Sequence, residues 1–282
     1  MLTGKRLYLV LGAVVVLLPS VFSLLRLYTD WLFFLETGFG SVFTTSLTAK
    51  LLAGAGAGGL LLCIILANLL LAGRQRFPQA DIFLQGTNIY RLRRDELARL
   101  AKPLGILAAL LLAVFAGQWA AVQWEKFLLF GNAVQVGSAD PVFGRDIGFY
   151  LFHLPLLEFL KAYVGFALLA VAAVCTALYY VHGGIALTER GMTVHPFVRR
   201  HLAVLAGLFM LVVAAGFYLD GFRLLLSGDG LVHGAGYADV KARLPVYRLL
   251  TFATPLAGLA LAIGAWRGRW RLAIAAPLAV LA

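Results

Sequence analysis

Hydrophobic positions in this chain fall in long runs, not in the alternating or three-to-four spacing of a soluble fold. The runs are Leu7–Leu27, Ser46–Ala72, Pro103–Val122, Leu156–Val181, Leu202–Leu219, Arg248–Ala265 and Leu272–Ala282. A helix rises about 1.5 Å per residue and a bilayer core is about 30 Å thick, so about 20 residues cross it. Six runs reach or approach that length. The seventh has eleven residues after Arg271, which covers about half a bilayer and would leave its last carbonyls unpaired in lipid. The pattern predicts an all-α integral membrane protein in which residues 1–282 form one membrane domain. It has seven transmembrane helices, the last one truncated, with interfacial amphipathic helices between them.

The linkers carry their own signals. Thr29-Asp30-Trp31 predicts the cap of a short helix through Glu36, with Trp31, Phe33, Phe34 and Leu35 as its apolar part. Ile89, Leu92, Glu96, Leu97 and Leu100 follow helical spacing with Arg91, Arg94 and Arg99 between them, the pattern of a basic amphipathic helix on an anionic leaflet. Asp140-Pro141 reads as an N-cap and first helical residue. Phe143, Ile147, Tyr150 and Leu154 would share one face of a helix lying flat at the interface and ended by Pro155. Within the second run, Gly54 and Gly58 form a small-xxx-small pair suited to close helix packing.

Composition agrees with this pattern. The chain is 62% hydrophobic and 13% charged, against about 25% charged in soluble domains, and its mean hydropathy is +0.90. A net charge of +11 would suggest nucleic acid in a soluble protein. Here its distribution sets topology and no nucleic-acid partner is expected. Fifteen basic residues against four acidic ones lie before the first run and in the second, fourth and sixth linkers, and the other side balances. The positive-inside rule makes the basic side cytoplasmic, with the amino terminus inside and Asp140–Pro155 outside. Val21-Phe22-Ser23 could pass for a signal-peptide cleavage site, but the run before it is of spanning length, so a retained span is expected. Cys63 and Cys175 lie in apolar runs and read as packing residues.

The bilayer core offers little chemistry. Lys50, Glu158, Lys161 and Arg248 sit near outer span ends, and Asn68 is the main polar side chain inside a run. His182, His195 and His201 share the inner side without metal-ligand spacing and read as solvated or headgroup-facing. No His-Glu-x-x-His or phosphate-loop motif is present. Asp30, Glu36, Asp140, Asp146, Asp220 and Asp239 lie just beyond outer span ends. They either converge on a cation-binding pocket or, as expected here, cap helices and pair with Arg145, Lys241 and Arg243. A lipid-linked glycosyl- or phosphotransferase would need Asp30 to meet Asp140 or Asp146 at one pocket. No residue is assigned a catalytic or metal-binding role, no cofactor is expected, and the balance leans away from an enzyme.

Four stretches taken together resemble the bacterial membrane proteins grouped as uncharacterised protein family 0182. They are Asp30-Trp31-Leu32-Phe33-Phe34-Leu35-Glu36 with Gly38 and Ser41-Val42-Phe43; Trp124-Glu125 with Leu128-Leu129-Phe130; Asp140 to Pro155, including Pro141 and Asp146; and Gly234 to Val240, including Asp239, with Leu244-Pro245. Gly148 and Ala238 stand where the resemblance would suggest serine and threonine. The resemblance implies a bacterial plasma-membrane protein whose seven-span region precedes a large extracytoplasmic region. Its partners would then be membrane lipids and that region, and its role that of an envelope component anchoring and orienting it. A transporter or lipid-handling protein, with a groove between spans, is the alternative.

Overall fold

The computed structural model describes residues 21–75, 77, 94–188, 191–226 and 234–268. They divide between two compact units, Met1–Leu52 and Ala53–Ala282, and the boundary falls inside one helix. The predicted first span up to residue 20, the part of the predicted basic amphipathic helix before Arg94, and the predicted seventh span lie outside the described residues.

In the first unit residues 21–36 form helix α1. The predicted cap at Thr29-Asp30 is absent. The Thr29 hydroxyl donates back to the Leu25 carbonyl at 2.8 Å, and with no Gly or Pro nearby the helix runs through both residues. It ends one turn later. Gly38 takes φ +80°, Phe39 N–H bonds Phe34 O at 2.8 Å and Gly38 N–H bonds Leu35 O at 3.1 Å. This is the paired-bond stop that glycine permits.

Helix α2 spans Gly40–Gly73, α3 Arg94–Val122, α4 Trp124–Gly131, α5 Leu154–His182, α6 Pro196–Arg223 and α7 Leu244–Trp266. Five segments are long and apolar enough to cross a bilayer: Gly40–Gly73, Arg99–Val122, Phe149–His182, Pro196–Leu226 and Asp239–Trp266. The fold is mainly helical, and five spans rather than seven are seen among the described residues. One small exception to the all-α expectation is an antiparallel hairpin, β1 (Ile185–Thr188) with β2 (Gly191–Val194), which joins α5 to α6.

Small residues set the helix spacing. A Cβ on Gly58 would lie 2.8 Å from the Ala113 carbonyl oxygen, and one on Gly117 2.8 Å from that of Gly54, so α2 and α3 touch backbone to backbone. Gly258 repeats the device between α7 and α6, where a Cβ would lie 2.9 Å from Met210 Cβ and 3.1 Å from Gly207 O. Between these crossings α5 supplies bulk: Phe159, Tyr163, Val171, Cys175 and Tyr179 are all buried. The Tyr163 hydroxyl donates to the Ala57 carbonyl at 2.6 Å.

The predicted interfacial helix from Pro141 to Leu154 does not form. Pro141 to Phe143 make a turn, and helix begins only at Ile147. It then runs without a break through Pro155 into α5, by way of a π-helical turn at Phe149–His153 that Leu154 N–H closes onto Phe149 O. The same arrangement precedes α7. A π-helical turn at Asp239–Arg243 is closed by Leu244 N–H onto Asp239 O, again just before a proline, Pro245.

The close α2–α3 contact yields a prediction. Gly117→Leu and Gly58→Leu should each destabilise by about 1–3 kcal/mol through overpacking, whereas Gly59→Ala, with nothing within 4 Å of its Cβ, should be neutral. Thermal unfolding in detergent measures this, and equal melting temperatures for all three would refute the contact.

Candidate functional site

The end of the bundle where α5 and α7 begin carries most of the sequence motifs. Between α4 and Phe149 the chain has little regular structure, and two aspartates organise it. Asp146 Oδ1 accepts from Val136 N–H at 3.0 Å and Gly148 N–H at 2.7 Å, and its Oδ2 accepts from Gly137 N–H at 2.8 Å. Asp140 Oδ1 accepts from Val142 N–H at 2.9 Å and Phe143 N–H at 2.6 Å. Its Oδ2 accepts from Arg145 N–H at 2.8 Å and the Tyr150 hydroxyl at 2.8 Å. Ile147 N–H to Ser138 O at 2.9 Å and Asp140 N–H to Arg145 O at 2.8 Å close the frame. A Cβ on Gly148 would run into the Val134 carbonyl and lie 2.8 Å from Asp146 Oδ1, so the frame leaves no room for a side chain there.

These bonds fix the charge state of both acids. Burial alone pushes the Asp140 carboxyl up, but the bonds from Phe143, Tyr150, Arg145 and Val142 together outweigh it and hold the group below its ordinary value. The bonds from Val136 and Gly148, opposed by some burial, do the same for Asp146. Both side chains are therefore carboxylates already engaged with the backbone around them. A metal or substrate at Asp140 would have to displace four donors.

The other motif residues are placed as follows. Asp30, Trp31 and Glu36 lie on α1 in the first unit and are exposed. Trp124 opens α4 and is half-buried. Pro141 is exposed in the turn that Asp140 caps. Asp239 starts its π-helical turn, accepting from Gly236 N–H at 2.9 Å and from Arg243 at 3.0 Å. Glu158 meets Arg223 at 3.1 Å, and Arg223 also lies 3.7 Å from Asp220. Among the described residues no three His, Cys, Asp or Glu side chains come together as a metal site.

What the same end does contain is an aromatic cluster around the buried Phe222, which packs on Phe143 (ring centroids 4.6 Å), Phe149 (5.1 Å) and Tyr218 (5.1 Å). Two cavities flank it. One of about 240 Å³ is lined by Phe143, Arg145, Phe217, Tyr247, Arg248 and Thr251, among others. An open one of about 660 Å³ is lined by Tyr150, Glu158, Asp220, Arg223, Arg243 and Tyr247, among others.

The opposite end holds a polar chain that the sequence did not disclose. The Tyr179 hydroxyl lies 2.6 Å from His201 Nδ1, His201 Nε2 lies 3.0 Å from Asn68 Oδ1, and Asn68 Nδ2 donates to Ile64 O at 2.8 Å. Since Asn68 Oδ1 only accepts, Nε2 carries the proton and Tyr179 donates to Nδ1. This neutral tautomer satisfies every atom in the chain. His201 is therefore tied between helices, contrary to the solvated reading, whereas His195 is exposed and caps α6 through Phe197 N–H at 3.3 Å. The available signal was Asn68 itself, since a lone amide in an apolar run needs a partner on a neighbouring helix.

A mainly helical chain with five segments of spanning length and glycine-mediated helix contacts is a multi-pass membrane protein. The comparisons place it further. The model of the Uncharacterised protein family (UPF0182) matches residues 7–282, and the chain belongs to that family. It is 57% identical to a UPF0182 protein of Geotalea uraniireducens over 99% of this chain and 31% of the relative. It is 52% identical to one of Geobacter sulfurreducens over 99% of this chain and 31% of that relative. A UPF0182 protein of Kocuria rhizophila is 32% identical over 96% of this chain and 27% of its own length. The chain thus spans about a third of the length of the curated relatives it matches. No solved structure matches it.

Substitutions test both polar networks. Asp140→Ala should lower stability by about 2 kcal/mol, because it strips the acceptor from three backbone N–H groups and a tyrosine. Because the folded carboxyl titrates below its unfolded value, its contribution is complete above about pH 4 and disappears as pH falls through the folded value. The melting temperature of Asp140→Asn should therefore depend less on pH than wild type in that acidic window, and parallel curves would contradict the assignment. Tyr179→Phe, which leaves His201 Nδ1 without its donor, should cost about 1–3 kcal/mol. A Tyr179→Phe melting temperature equal to wild type would show that the hydroxyl carries no weight.

Proposed function

We propose that this region is the membrane anchor and docking floor for the remainder of a longer polypeptide in the bacterial plasma membrane. The observation that carries the reading is apolar surface held on a pinned frame outside the span-forming segments. Val134 and Val136, 62% and 51% exposed, flank the Asp146 frame, and Tyr237, 82% exposed, precedes the second π-helical turn. Exposed apolar side chains grouped on a fixed frame offer a surface on which another part of the polypeptide can pack. Relatives about three times as long supply an occupant, the rest of the same chain. The supporting topology has seven spans, with Leu7–Leu27 and the run from Leu272 added to the five above. The basic ends are cytoplasmic and the motif end is outside.

Cysteine labelling and crosslinking in the full-length protein test this. With Cys63 and Cys175 replaced, Val136→Cys should react with a membrane-impermeant maleimide in intact cells, and Gln75→Cys only after permeabilisation. A photo-crosslinker at Tyr237 or Val136 should capture the rest of the same polypeptide. Reversed labelling would overturn the topology. Correct labelling with crosslinks to lipid alone, or with none, would overturn the docking floor.

A further inference from the structure

The smaller cavity at the motif end differs from its larger neighbour in how its cations are partnered. Beside the larger one, Arg223 lies 3.1 Å from Glu158 and Arg243 lies 3.0 Å from Asp239, so those guanidinium charges are met by carboxylates of the protein. The smaller one is lined by Arg145 and Arg248 and by no acid. Among the described residues neither of these arginines forms an ion pair with a carboxylate. Asp140, five residues before Arg145, takes that residue's backbone N–H, and the adjacent Asp146 accepts from Val136, Gly137 and Gly148 N–H. Each guanidinium lies over a ring instead, Arg145 over Phe149 at 5.3 Å and Arg248 over Phe143 at 6.0 Å. The remaining wall is largely aromatic and apolar, with Phe217 and Tyr247 on α6 and α7.

Position along the spans narrows the ligand. Arg145 stands in the loop before the segment Phe149–His182, whereas Arg248, Thr251 and Phe217 belong to span-forming segments. The cavity therefore draws one cation from the loop, and the other, with its aromatic wall, from span-forming segments. Leu249 and Phe252 beside it on α7 are 68% and 73% exposed, as expected of a surface facing acyl chains.

We propose that this cavity binds the phosphate group of a membrane phospholipid. Arg145 and Arg248 meet the phosphate oxygens, and Phe217 and Tyr247 take the glycerol and the first acyl methylenes. Guanidinium forks match phosphate oxygens, and an anion offsets two cations held beside a low-dielectric surface. The larger cavity, whose arginines already have carboxylates, is the internal control. This inference does not depend on the anchoring role.

The test uses the intact full-length protein in a nonionic detergent with short-chain lipids as probes. Dihexanoyl-phosphatidylglycerol should bind and raise the melting temperature, whereas dihexanoylglycerol, which lacks the phosphate, and inorganic phosphate, which lacks the chains, should do so much less. Arg145→Gln/Arg248→Gln should weaken phosphatidylglycerol binding by at least about tenfold, the loss expected for charge-assisted bonds. Arg223→Gln/Arg243→Gln should leave it unchanged. Equal binding of dihexanoylglycerol would reduce the site to an apolar groove, and equal binding of inorganic phosphate would make it a soluble-anion site. Unchanged binding in the first double variant would overturn the assignment of the arginines. Should that variant fail to fold, the lipid comparison on wild type decides by itself, and Arg145→Lys/Arg248→Lys, which keeps the charge, should retain part of the affinity.

Discussion

Within a bilayer an apolar side chain gains little by leaving lipid for a neighbouring helix, so the hydrophobic effect that folds soluble proteins does not hold spans together. Association rests on close packing and on polar groups that find no water. This bundle uses both. Glycines bring α2 onto α3 and α6 onto α7 until backbone atoms touch. A few polar side chains, Tyr163 on Ala57 and Tyr179 through His201 to Asn68, tie helices far apart in the chain. Because contact is made by backbone, a single added methyl at Gly58 or Gly117 acts on the separation of whole helices, where a soluble core could repack.

The aspartates at the motif end serve the backbone in another way. A loop between span ends has backbone amides close to an apolar layer, and each needs an acceptor. Asp140 and Asp146 supply seven such bonds between them, one from a tyrosine and six from backbone. An acid that satisfies its own backbone holds a loop in one shape and has little left for a ligand. Asp140 and Asp146 therefore build the surface here and do not reach out from it.

How far this was legible in the sequence depends on the range of the interaction. Spans are local and long, and the five seen in the structure fall on the predicted apolar runs. The Asp140 cap onto Val142 and Phe143 is equally local, and the residue types announce it. Yet Pro141 after the cap suggested a helix that the structure does not form, because Asp140 also bonds Arg145 and Tyr150 and curls the chain into a turn. The hairpin between α5 and α6 has strands of four residues, too short for alternation to register. His201 and Asn68 are 133 residues apart, and Tyr179 looks like any aromatic near a span end. The arginine-lined cavity draws its walls from the loop, α6 and α7, a juxtaposition that only tertiary packing creates.

The two π-helical turns show how the chain enters the membrane. A proline inside an α-helix removes one N–H and crowds the carbonyl four residues earlier, which read in the sequence as a helix end at Pro155. The structure places a wider turn just before that proline, with Leu154 N–H reaching back to Phe149 O across five residues. With this wider turn ahead of it, Pro155 falls in the first turn of α5, where its missing N–H is tolerated, and the helix passes through without a break. Some carbonyls in that turn lose their ordinary partners, which is tolerable at the rim of the bilayer, where water is available, and costly at its centre. Leu244-Pro245 repeats the arrangement at the start of α7. In both helices the turn precedes the proline, so helix before the proline continues into the span-forming segment.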